Sequence, residues 1–120
     1  MKNDLNMTVE ELKTQVRAFI AERGWEKYHN PKDVAESICI EAAELLEIFQ
    51  WRGVDEIKKL MERREFTERI GEELADIIIY SLSMANIIGI DLSKTVIDKL
   101  KKDAEKYPAE KYYGRAHIEE

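Results

Sequence analysis

The sequence predicts an all-α fold, on three observations. Its 120 residues contain only two Pro and five Gly as chain breakers. Charged residues make up 37% of it, with many Lys and Glu at helical spacing. Apolar residues recur at three- and four-residue intervals through most of its length. With 44% hydrophobic residues the chain has the length of about one domain and can bury one core. This composition excludes a disordered, collagenous or disulfide-stapled chain. Five helical segments are expected, with no repeat, low-complexity tract or dividing linker, so the chain reads as a single domain over 1–120 with its core over about 8–108 and a tail over 109–120.

Each segment has its own start and stop. The first opens at Thr8, whose hydroxyl can cap the backbone while Glu11 reaches back in a capping box, and it runs to about residue 23 before Gly24. Asn30 and Pro31 open the second: asparagine is a good N-cap and proline fits the first helical position, so a helix is expected over 31–52, stopping at Gly53. A short third piece is expected over 55–64. The fourth is read from a Thr67 cap through Glu73 and Asp76 to Ile88, ended by Gly89, and the fifth from an Asp91 cap to just before Pro108. The tail carries Tyr112, Tyr113 and Gly114 without a clear period.

Charge and targeting narrow the classes further. A balance of 19 basic against 25 acidic residues gives a net charge of −6, which offers no broad footprint for a nucleic-acid backbone. The single cysteine, Cys39, excludes an internal disulfide and a thiolate-only metal site, fits a reducing cytosol and reads as a small buried hydrophobe. The N-terminus enters a charged amphipathic pattern with no apolar signal region. The longest apolar stretch, 77–90, is bounded by Asp76 and Asp91 and interrupted by Ser81, Ser83 and Asn86, short of the roughly 18–20 residues of a membrane span. It reads as the most buried helix, with no membrane partner and a cytoplasmic location expected.

Wheel positions follow from the 100° turn per residue. On the second helix Val34, Ile38, Leu45, Ile48 and Phe49 define an apolar arc; Glu41 falls inside it and Glu44 at its edge, beside Ile48 and Trp51, while Glu36 and Glu47 fall on the opposite polar face. On the fourth, Glu73 lies among Ile77, Tyr80 and Met84, and Asp76 beside Ile87. An unpaired carboxylate costs several kcal/mol to bury, so two such pairs need cations, either Lys and Arg from other helices or a metal. Oxygen-only ligands at i and i+3 on two helices suit a hard cation such as Mg²⁺, and the near absence of histidine disfavours Zn²⁺. A di-iron bundle would need two Glu-x-x-His motifs. Only Glu26-Lys-Tyr-His29 is present, ahead of the main helices, and His117 lacks a glutamate three residues before it.

Glu41-x-x-Glu44, a gap of 28 residues and then Glu73-x-x-Asp76 resembles the signature of the MazG-like all-α nucleoside triphosphate pyrophosphohydrolases. The surrounding text, FIAERGWEKYHNP at 19–31, ELLEIFQW at 44–51, EELADIIIYSL at 72–82 and KLKKDAEKYP at 99–108, is similar to the dCTP pyrophosphatase branch. The resemblance covers residues 8–115. It implies a four-to-five-helix bundle assembled as a homodimer or homotetramer. It also implies Mg²⁺-dependent hydrolysis of a nucleoside triphosphate, dCTP or a modified nucleotide among the candidates, to monophosphate and pyrophosphate, with Mn²⁺ as a substitute metal.

Carried over residue by residue, the family's metal ligands and catalytic acids fall on Glu41, Glu44, Glu73 and Asp76, the acids the wheel singles out. Tyr80 matches a tyrosine near the substrate, Lys99 a lysine that can neutralise phosphate, and Trp25 and Trp51 the aromatic walls of a base pocket. Trp51, seven residues after Glu44, is expected on the same helical face about 10 Å along the axis. The alternative for both tryptophans is core packing. His29 is expected as a capping or pocket-rim residue. Two positions depart from the pattern: Asp103 stands where relatives commonly have asparagine, and Val16 where vertebrate members have histidine, which puts cytosine preference in question. Asp103 can orient Lys99, contact a substrate hydroxyl, or form an ordinary i,i+4 ion pair. Attack by water on the α-phosphorus needs no side-chain nucleophile, and no P-loop is present; among the glutamates Glu44 is preferred as base. The competing class is a non-catalytic helical adaptor whose apolar stripes form only a dimer interface and whose acids are structural.

Overall fold

The structure, a computed structural model, describes residues 1–116. Among them are six α-helices and one 3-10 turn, with no strand: α1 (Val9–Glu22), the 3-10 turn (Glu26–Tyr28), α2 (Pro31–Phe49), α3 (Val54–Leu60), α4 (Arg64–Ile88), α5 (Leu92–Lys106) and α6 (Ala109–Tyr112). The expected all-α class is borne out, with α6 as one added turn in the tail. His117, set aside in the di-iron reading, lies outside the described residues. The chain groups into two compact units, Met1–Gly89 and a second from Ile90 onward.

Local chemistry sets three of the helix starts and the end of α4. Thr8 Oγ1 accepts from the Glu11 amide at 3.1 Å, and Asn30 Oδ1 accepts from the Asp33 amide at 2.9 Å ahead of Pro31. Asp91 Oδ1 accepts from the Lys94 amide at 2.9 Å. Such caps stabilise a helix by about 0.5–2 kcal/mol each over alanine. α4 stops where Gly89 turns left-handed, at φ +70°, and its N–H donates to the Ala85 carbonyl at 3.0 Å.

Three boundaries differ from expectation. α4 begins at Arg64, so Thr67 lies within its first turn and donates its hydroxyl to the Arg64 carbonyl at 3.0 Å instead of capping. α3 consequently ends at Leu60, short of 64. α2 ends at Phe49, three residues short of 52. Gln50 is extended (φ −57°, ψ 138°), Trp51 sits at φ +68°, and the Arg52 amide donates to the Phe49 carbonyl at 3.2 Å. These are the dihedrals of a type II turn with tryptophan at the position glycine usually occupies. An L-residue pays roughly 1–2 kcal/mol for that conformation.

In the first unit α4 packs against both α2 and α1. The core is Val16 and Ile20 of α1, Val34 and Ile48 of α2, each 1% exposed, and Phe66, Leu82 and Ala85 of α4. Phe49 and Phe66 meet edge to face at 6.1 Å, locking the C-terminal end of α2 to the first turns of α4. Truncating Ile48 to alanine here should cost about 2–5 kcal/mol. α4 carries the most buried residues of any helix, as expected of 77–90, yet Ile78, Ile79, Ile87 and Ile88 stay exposed. Cys39 is exposed, contrary to expectation: at about 140° from Val34 it falls outside the apolar arc of α2, so its position overrides the burial tendency of its residue type. In the second unit, Tyr107 and Tyr112 meet edge to face at 5.2 Å. No single described helix is long and apolar enough to cross a membrane.

Candidate metal centre

Because α2 and α4 pack through the stripes that carry their acids, Glu41, Glu73 and Asp76 converge. One carboxylate oxygen from each can be chosen so that all three lie within 4.8 Å of one another. Glu44 stands outside that triad, more exposed, with its carboxyl against those of both Glu41 and Glu73. Glu36 and Glu47 point into solvent, as the wheel requires, and Glu36 faces Lys32 at 3.8 Å.

The structural alternative, with each acid paired to a base from another helix, fails. Among the described residues no ion pair involves Glu41, Glu44, Glu73 or Asp76. Instead Oε2 of Glu41 and Oε2 of Glu73 are buried without a hydrogen-bond partner. Burial, the hydrogen bond and charge of Glu44, and then the charges of Asp76 and Glu73 push Glu41 up to about 7. Burial likewise raises Glu73, with Glu44 and Asp76 adding to it and a hydrogen bond to Glu41 opposing. Orphaned buried acceptors in an oxygen-only cluster fit a hard divalent cation, which would satisfy the lone pairs and cancel the repulsion together.

The neighbouring residues sort themselves. Tyr80, one turn past Asp76, stacks on His29 at 6.0 Å and 16°, and His29 Nδ1 shares a 2.8 Å hydrogen bond with Ser83 Oγ. His29 is thus tied to α4 beside Tyr80. Ser83, 2% exposed, was missed in the sequence; its place in the stripe Glu73, Asp76, Tyr80, Ser83, a polar residue inside an apolar run, is the signal that marks it. Trp25 is half-exposed and meets Phe19 edge-on at 6.0 Å. Trp51 is 94% exposed and lies beyond the end of α2, so its expected place on the helical face of Glu44 is corrected by the turn at residues 50–51. Neither indole belongs to the buried core. On α5, Lys99 and Asp103 form an i,i+4 ion pair with each other.

Fold and site together define an all-α protein in which two packed helices bring together a cluster of carboxylates that could hold a cation. The chain belongs to the MazG-like family, which matches residues 36–117. It is similar to dCTP pyrophosphatase 1 of Rattus norvegicus, 31% identical over 109 residues, which are 91% of this chain and 64% of that one. It is also similar to dCTP pyrophosphatase 1 of Homo sapiens, 31% identical over 102 residues, which are 85% of this chain and 60% of that one. The chain therefore spans less than two thirds of the length of the curated relatives it matches. The crystal structure of a pyrophosphatase from Archaeoglobus fulgidus superposes with a TM-score of 0.77 at 43% identity, covering 90% of this chain and 99% of that one.

Proposed function

We propose that the chain is a Mg²⁺-dependent nucleoside triphosphate pyrophosphohydrolase, acting in the cytoplasm on dCTP or a modified nucleotide and releasing the monophosphate and pyrophosphate. The observation that carries this reading is the pair of donorless, buried carboxylate oxygens at Glu41 and Glu73, closed by Asp76. A structural acid would have found a base. The pyrophosphatase names borne by the relatives and the solved structure agree with it.

In this reading Glu41, Glu73 and Asp76 hold the cation and Glu44 completes the acidic ring. When bound, Mg²⁺ supplies positive charge to the phosphate oxygens and acidifies water. Glu44, the exposed member, takes the proton of the attacking water as the bond from the α-phosphorus to the bridging oxygen breaks. Tyr80 is held by its stack on His29 and faces the substrate from one turn beyond Asp76. Trp51 and Trp25 stack on the base; on α5 the family resemblance assigns Lys99, paired with Asp103, to phosphate. The assembly is a symmetric homodimer or a tetramer built from it. An open apolar groove of about 650 Å³ between α1 and α4, lined by Leu12, Phe19, Leu74, Ile78 and Ile79, supports this, because a second copy would cover surface that one copy leaves wet.

Pyrophosphate release is the test. With Mg²⁺, dCTP or a modified triphosphate should be hydrolysed, and EDTA should stop it. Absence of release from every ordinary and modified nucleotide would overturn the reading. Light scattering at micromolar concentration should give at least twice the 14.1 kDa chain mass.

A further inference from the structure

Ser83 is a polar side chain, 2% exposed, set in the apolar run of α4, where alanine would carry no polar atom to satisfy. Its hydroxyl meets Nδ1 of His29 at 2.8 Å, across 54 residues of chain. The same imidazole lies nearly parallel to the Tyr80 ring, at 6.0 Å and 16°. His29 therefore engages two successive positions of the stripe that carries Glu73 and Asp76, one through a ring face and the next through a ring nitrogen.

The backbone brings His29 to this place from both sides. Its N–H donates to the Glu26 carbonyl at 3.0 Å, closing the 3-10 turn, and Asn30 beside it caps α2. The side chain is less confined. A hollow of about 410 Å³ opens at His29 and Ser83, lined also by Arg17, Ile20, Glu26 and Asn86. Arg17 donates to Asn86 Oδ1 at 2.7 Å rather than to the imidazole. An offset ring stack is a weak restraint next to a space of that size, so the bond to Ser83 is what fixes the plane of the imidazole. Among the described residues the Tyr80 hydroxyl makes no hydrogen bond of its own, and the place of its ring depends on that plane.

We propose that Ser83 is a positioning residue for the hydrolysis: through the ring of His29 it holds the Tyr80 hydroxyl toward the substrate, one turn beyond Asp76. This rests on the hydrolase reading. The unused phenol can donate to a substrate oxygen, and a donor fixed before the substrate arrives loses little rotamer freedom on binding. Without the Ser83 bond the imidazole turns toward the hollow, the stack loosens and the tyrosine ring gains freedom. The carboxylates take no part in these contacts, so the cation and the donor are set separately.

The test is a double-mutant cycle between Ser83→Ala and Tyr80→Phe. It is read in kcat/KM for nucleotide hydrolysis and, on the metal-free full chain, in the tyrosine band of near-ultraviolet circular dichroism. Tyr80→Phe should lower kcat/KM by roughly tenfold. Ser83→Ala should lower it by roughly threefold or more alone and by less than about twofold beside Tyr80→Phe, because the hydroxyl it serves is already gone. The tyrosine band should change with Ser83→Ala, and that change should vanish beside Tyr80→Phe. His29→Phe, which keeps a ring face without the bond, should match Ser83→Ala. Ser81→Ala, whose lost hydroxyl bonds only the Ile77 carbonyl within α4 at 2.8 Å, should leave every reading unchanged. Calorimetric Mg²⁺ affinity should be the same in wild type and Ser83→Ala. Equal losses from Ser83→Ala with and without the Tyr80 hydroxyl, an unchanged tyrosine band, or Mg²⁺ affinity that falls together with kcat/KM would overturn the positioning role while hydrolysis still stood. A coupled change of the tyrosine band in a chain that hydrolyses no nucleotide would overturn the hydrolase reading and the substrate role of Tyr80 with it.

Discussion

The acidic cluster and the hollow of about 310 Å³ that Arg52, Arg63 and Arg69 line beside Phe66 are built in opposite ways. Glu41 and Glu73 bury acceptor oxygens between packed helices with nothing to satisfy them, whereas Arg52, Arg63 and Arg69 stand in solvent around an open depression. The carboxylates therefore carry a large cost in the absence of a cation, and the arginines carry almost none in the absence of an anion, because water solvates them. Burial makes a site demanding and selective; exposure makes it tolerant and subject to screening over about 10 Å at 0.1 M salt. A metal site needs the first property.

The largest effect expected from breaking this contrast is at the cluster. Glu41→Gln and Glu73→Gln should each reduce turnover to background, while the metal-free variants melt higher than wild type because each loses an unpaired carboxylate at a site of mutual repulsion. Glu36→Gln and Glu47→Gln, on the solvent face, should stay near wild type in both assays. Near-normal turnover in both cluster variants would remove the acidic site from the chemistry.

A smaller effect is expected at the exposed end of the site. Trp51→Ala should raise KM by roughly 5- to 150-fold, the equivalent of about 1–3 kcal/mol of base stacking, with little change in melting temperature because the indole is already in solvent. Trp51→Gly should lose the same affinity while tolerating φ +68° without strain. A melting temperature that collapses with KM unchanged would mean that the indole is structural.

The smallest effect sharpens the comparison through protons. Glu41 is raised from 4.5 to about 7, so between those values the folded chain binds more protons than the unfolded one and stability falls as pH rises. In EDTA the melting temperature should decline across that window. Saturating Mg²⁺ should flatten the slope and add more stability at the upper end than at the lower. The arginine hollow contributes no slope, since guanidinium stays charged throughout. A melting temperature that climbs across the window without metal would contradict the burial of Glu41.

What the sequence by itself determined was local. Thr8, Asn30 with Pro31, Gly89 and Asp91 announce helix ends because each cap is made within a few residues of chain, and the fixed 100° step was enough to separate Glu41 and Glu73 from Glu36 and Glu47 before any packing was known. What only the tertiary structure decided was everything that depends on two elements meeting. The ring of His29 reaches Tyr80 and Ser83 across a separation of more than fifty residues, and Arg52 joins Arg63 and Arg69 only because the chain turns at Gln50 and Trp51 and returns through α3. That turn was illegible in the sequence because tryptophan has no preference for a left-handed backbone; Trp51 adopts one at a local cost that the Phe49–Phe66 contact and the packing of α2 on α4 offset. Propensity and periodicity act over one helical turn, whereas the energies that overrule them come from contacts between helices.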